Sequence, residues 1–156
     1  MSLGLPIRVF VYGTLKRGEP NANIITNTPG QYRFISEGRT KLQYPLIVAT
    51  KYNIPFVLNE PGKGYKIEGE VYEIDDIKLS ILDRLEAYPS LYWRQKEKIT
   101  LPNGDETVAW MYLLRKWRSD IYELATPMMS SYSSKGAHGR AYVPSEDCRN
   151  YEDLWQ

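Results

Sequence analysis

The chain has 156 residues, 42% hydrophobic and 25% charged, which is enough for one domain with a real core. Twenty basic residues nearly cancel nineteen acidic ones, for a formal net charge of +1. With Lys and Arg scattered rather than striped, no nucleic-acid partner is expected. A single cysteine, Cys148, and a single histidine, His138, exclude an intrachain disulfide and a Cys/His zinc site. This usage fits a reducing, cytoplasmic compartment, and no apolar run approaches the ~20 residues of a membrane-spanning helix.

Ile7 to Tyr12 reads as a buried strand, rich in β-branched and aromatic residues and stopped by Gly13. A loop follows through Gly18 and Pro20. Tyr32 to Thr50 holds two strands with a break near Tyr44-Pro45, and Ile54 to Leu58 is another short one. Pro61-Gly62-Lys63-Gly64 is a turn. Tyr65 to Ile74 alternates, with Lys66, Glu68 and Glu70 on one face, as a half-exposed antiparallel strand would.

Asp75 caps a helix expected from Ile77 to about Tyr88, closed by Pro89. Tyr92–Leu101 and Glu106–Leu114 flank Pro102-Asn103-Gly104-Asp105, a hairpin signal. A short helical piece is expected near Asp120 to Leu124, followed by a long ordered loop or tail. Residues 1–5 are expected to be flexible, and about 145–156 to form a polar tail. The whole chain, 1–156, reads as a single α+β domain with a curled or barrel-like sheet. Thirteen Tyr and four Trp against three Phe suit half-buried strands and pocket walls.

One residue stands out on the main helix. With Leu79 as origin and about 100° per residue, Leu82 falls at about 300°, Leu85 at about 240° and Glu86 at about 340°. A carboxylate therefore lies inside the apolar stripe. Burial there raises its pKa towards that of a general acid or base near neutral pH. The bland alternative is a stripe-edge Glu that reaches water or pairs with an arginine such as Arg94. The strand-to-loop turn Tyr12-Gly13-Thr14-Leu15 is a second candidate. Gly13 allows unusual dihedrals and close approach, and successive N–H groups can cradle an anion. It is not a phosphate-binding P-loop, because Glu19-Pro20 stands where Lys-Ser/Thr is required. His138 reads as a solvated loop residue, Cys148 as inert, and no hydrolase triad is supported.

Taken in order, Val9 to Gly18 and Leu82 to Tyr92 resemble the gamma-glutamyl cyclotransferase-like superfamily, and most closely its gamma-glutamylamine branch. Asn53-Ile54-Pro55, Pro61 to Gly64, Gly69-Glu70-Val71-Tyr72 and Ser131 through Gly139 extend the likeness over nearly the whole chain. Ala22 and Ala87 depart from it, standing where the family often has His and Gly. The resemblance implies a compact mixed β-barrel with one main helix and a few short ones, no metal and no cofactor. It implies an enzyme that cyclises a gamma-glutamyl group to 5-oxoproline and frees an amine, with Glu86 catalytic. Tyr12, Gly13, Thr14, Leu15 and Tyr92 would bind the substrate. For the gamma-glutamylamine branch that substrate is L-gamma-glutamyl-epsilon-lysine, the debris of protein crosslinks. Two alternatives remain: action on gamma-glutamyl amino acids, and a non-catalytic module that binds a small metabolite. A monomer acting on a small molecule is expected.

Overall fold

The structure, a computed structural model, describes residues 6–143. The expected flexible start, the polar tail and Cys148 lie outside the described residues. Strands β1 (Ile7–Val11), β2 (Tyr32–Tyr44), β5 (Tyr65–Ile74), β6 (Tyr92–Thr100) and β7 (Glu106–Leu114) close into a barrel in the order β1-β5-β2-β6-β7. All neighbours are antiparallel except β1 and β7, whose parallel contact at Val9 and Trp110 makes the closure. Strands β3 (Leu46–Ala49) and β4 (Ile54–Val57) form a separate hairpin. Helix α1 (Asn23–Asn27) precedes β2, α2 (Asp76–Leu85) joins β5 to β6, and α3 (Ile121–Leu124) follows β7. The strands and the short last helix fall where the sequence puts them. Helix α1, one turn of mixed polar and apolar residues, was not foreseen.

Closure explains two departures from expectation. β5 alternates only over its first half; from Gly69 to Ile74 it is buried on both faces. One face joins Ile67 and Val71 to an interior cluster drawn from every barrel strand. The other puts Tyr72 and Ile74 under α2 and the β3–β4 hairpin, against Leu82, Ile47 and Phe56. Gly69 sits against the end of β1: a Cβ there would lie 2.3 Å from the Val11 carbonyl oxygen.

Helix α2 begins as expected, with the Asp75 carboxylate accepting from the Lys78 N–H at 2.9 Å. It ends earlier than Tyr88, and Pro89 is not what stops it. Ala87 takes a left-handed conformation, φ 52°. Its N–H reaches the Arg84 carbonyl at 3.2 Å, and the Tyr88 N–H reaches the Asp83 carbonyl at 2.9 Å. These two bonds are a Schellman cap, in which Gly usually occupies the left-handed place. Glu86 is thus the last residue before the chain turns away.

Candidate active site

A pocket opens beside the end of β1, and it gathers parts from distant stretches of chain. It is lined by Tyr12, Gly13, Thr14 and Leu15, by Glu86 and Leu85 at the end of α2, by Ile54 and Pro55, and by Asn21, Tyr92, Tyr112 and Tyr142 among others. The empty space, counted out to the open mouth and into solvent, is about 650 Å³. All six residues singled out from the sequence line it.

The turn after β1 is built as a cradle, though not by unusual dihedrals. Gly13 has no left-handed φ. What it needs is room: a Cβ would lie 2.9 Å from the Pro55 ring. The Gly13 carbonyl accepts from the Lys16 N–H at 3.2 Å, and the Thr14 carbonyl from the Asn21 N–H at 2.9 Å. These bonds fix the turn. Among the described residues no hydrogen bond consumes the N–H groups of Gly13, Thr14 or Leu15. The Thr14 hydroxyl accepts from Asn21 Nδ2 at 3.0 Å, which leaves its own proton for the pocket.

Glu86 is half-buried. Its expected alternative partner, Arg94, is taken: the guanidinium forks onto Asp83, Nε to Oδ1 at 2.8 Å and a terminal nitrogen to Oδ2 at 3.1 Å. The Tyr112 hydroxyl also donates to Asp83 Oδ1, at 2.6 Å. Among the described residues no cation pairs with Glu86. Burial, and then the nearby Asp83 charge, push the Glu86 carboxyl up to about 8. Burial, followed by the charge of Glu86, likewise raises the Tyr12 hydroxyl well above its usual range. Tyr12 donates to the Tyr112 carbonyl at 2.7 Å. Tyr92 stacks on Phe56 with centroids 5.9 Å apart, and its N–H donates to the Glu86 carbonyl at 3.3 Å.

Sequence reasoning missed Asn21, Tyr112 and Tyr142, which lie on a loop, a barrel strand and the segment after α3. Of these, only Tyr112 carried a usable signal, as a Tyr within the apolar run of a predicted strand. His138 is half-exposed on its loop. It stacks on Tyr132 at 5.9 Å and accepts from the Arg140 N–H at 2.9 Å, so it shapes its own loop. No cluster of three His, Cys, Asp or Glu residues that could hold a metal occurs among the described residues, and no helix there is long and apolar enough to cross a membrane.

The chain is similar to known proteins over most of its length. The family model described as "Gamma-glutamyl cyclotransferase, AIG2-like" matches residues 9–134. The CG2811 protein of Drosophila melanogaster is 47% identical over 131 residues, which is 83% of this chain and 82% of that protein. Gamma-glutamylaminecyclotransferase A of Danio rerio is 43% identical, over 91% of this chain and 89% of its own. A crystal structure of an AIG2-like protein from Mus musculus superposes with a TM-score of 0.85 at 36% identity, covering 90% of this chain and 97% of that one. The closed mixed barrel, the pocket it carries and these matches lead to one conclusion: the chain belongs to the gamma-glutamyl cyclotransferase, AIG2-like family.

Proposed function

We propose that the protein is a gamma-glutamylamine cyclotransferase, converting L-gamma-glutamyl-epsilon-lysine and related isodipeptides to 5-oxoproline and the free amine. The observation that carries this reading is the position of Glu86: a carboxyl unpaired by any described cation, in one pocket with a cradle of unspent N–H groups, where burial pushes it up to about 8. The substrate's own α-amine is the nucleophile. Its nitrogen attacks the side-chain carbonyl carbon, and the bond from that carbon to the departing nitrogen breaks. Glu86 takes the proton that the α-amine loses and returns it to the leaving nitrogen, so nothing is oxidised and no water is consumed. N–H groups of Gly13, Thr14 and Leu15 receive the substrate carboxylate or the developing oxyanion. Tyr12 and Tyr92 wall the site, and orientation for five-membered ring closure supplies much of the rate. We place the reaction in the cytoplasm, carried out by a monomer on a small-molecule substrate.

The test is Glu86→Gln, assayed for 5-oxoproline release from the lysine isodipeptide. We expect kcat to fall by about 10²–10⁴ with no loss of thermal stability. Retained turnover would sink the assignment of Glu86 as base. Faster turnover of gamma-glutamyl-alanine than of the isodipeptide would move the substrate to gamma-glutamyl amino acids.

A further inference from the structure

One wall of the pocket is supplied from outside the barrel. Tyr142 is half-buried between exposed Ala141 and Val143, and its side chain lines the pocket. The segment that carries it is strapped down along its length. The Tyr142 N–H donates to Ser134 Oγ, the Val143 N–H to the Tyr52 carbonyl, and Asn53 Nδ2 to the Ala141 carbonyl, each at 2.9 Å.

Arg140 is the central fastener. Its guanidinium donates to Asn53 Oδ1, to the Thr50 carbonyl and to the Leu124 carbonyl, each at 2.9 Å. A planar, pre-organised fork holds three acceptors at fixed angles, where an ammonium's donors are free to rotate. Two of these acceptors belong to the β3–β4 turn, where Thr50 and Asn53 hold left-handed conformations at φ 67° and 56°. That turn leads directly into Ile54 and Pro55, which also line the pocket. One side chain therefore fixes two walls. On its inner side Tyr142 Oη accepts from Asn21 Nδ2 at 3.3 Å, and the same Asn21 amide holds Thr14. The ring is thereby registered to the cradle, and its hydroxyl proton is left for the pocket.

The glutamyl part is common to every substrate of the proposed reaction, and the cradle and Glu86 are occupied with it. What differs between substrates is the leaving amine, which must extend towards the mouth. We propose that Tyr142, positioned by Arg140, is the specificity-determining residue for the leaving amine, favouring an alkyl chain long enough to lie along its ring. This inference rests on the cyclotransferase reading. An aromatic face offers contact to methylenes and attraction to a distal ammonium.

The test compares kcat/KM for gamma-glutamyl-epsilon-lysine with that for gamma-glutamylmethylamide, which has the same acyl group and almost no leaving chain. Wild type should prefer the lysine compound. Tyr142→Ala should cut that preference roughly five- to tenfold, mainly through the KM of the lysine compound. Arg140→Gln keeps the ring but loosens the strap, and should cut it by about two- to threefold. An unchanged ratio, or an equal loss on both substrates, overturns the proposal. If Tyr142→Ala does not fold, Arg140→Gln decides by the same outcomes. A wild-type protein that turns over neither compound overturns the cyclotransferase reading itself, a result distinct from an unchanged ratio.

Discussion

The barrel wall and the end of α2 treat buried carboxylates in opposite ways. On the wall, Glu73 receives Arg8 at 3.1 Å and also Arg33. Glu70 receives the Arg17 N–H at 3.0 Å, the Arg17 guanidinium at 2.9 Å and the Tyr72 hydroxyl at 3.2 Å. Burial pushes the Glu73 carboxyl up, but the hydrogen bonds and charges of Arg33 and Arg8 outweigh it and hold the group below its usual range. At the end of α2, Asp83 takes the guanidinium of Arg94, while Glu86 three residues on gets none and rises to about 8. A buried carboxylate matched by a guanidinium serves the fold, and one denied a cation is poised to move protons.

The largest effect that sharpens this contrast, after the loss of turnover in Glu86→Gln, is the pH dependence of stability. Glu86 has a folded pKa above its unfolded one. Between about pH 4.5 and 8 the unfolded chain has released this proton while the folded chain retains it, so its contribution falls as pH rises and levels off above about 8. We expect a progressive loss across that window, at most about 5 kcal/mol, absent in Glu86→Gln, as read by urea unfolding at several pH values. Glu73 works the other way: its contribution is present at neutral pH and lost as pH falls through its lowered folded pKa.

A smaller effect would erase the contrast from the other side. Arg94→Ala leaves Asp83 with the Tyr112 hydroxyl and no cation, in a site where the two charged side chains are 14% and 21% exposed. Stability should fall by about 2 kcal/mol, seen as a lower denaturation midpoint. The acid limb of the kcat profile should also move to higher pH, because Asp83 then acts on Glu86 uncompensated. A shift to lower pH would break the comparison.

The smallest change concerns the cap that aims Glu86. Ala87→Gly relieves a left-handed Cβ in the Schellman turn. It should stabilise by about 0.5–1 kcal/mol, a rise of roughly 1–4 °C in Tm. A lower Tm would show that the loss of the Ala87 methyl from its apolar surroundings outweighs the strain.

Patterns between chain neighbours were enough for much of this molecule. Period-two and β-branched runs located seven strands, Asn103-Gly104 located a hairpin, and Asp75 located a cap. Helical spacing put Glu86 on the apolar side of α2. These signals are legible because strand and helix repeat every two and 3.6 residues, so burial writes itself into local order. Lys78 shows where such reading stops. It stands on a first helical turn, yet it is fully buried, donating to Thr28 at 2.9 Å and to the Ile25 carbonyl, 53 residues earlier in the chain. The assignment of Arg94 to Asp83 and the strap that brings Tyr142 to Asn21 were equally hidden. The sequence by itself determined the strands, the start of α2, the turn after β1 and the inward face that carries Glu86. Only the tertiary structure decided which carboxylate kept a cation and which side chains closed the pocket. Those choices depend on groups brought together by barrel closure, such as Tyr12 and the Tyr112 carbonyl, and no local periodicity encodes a contact between residues so far apart in the chain.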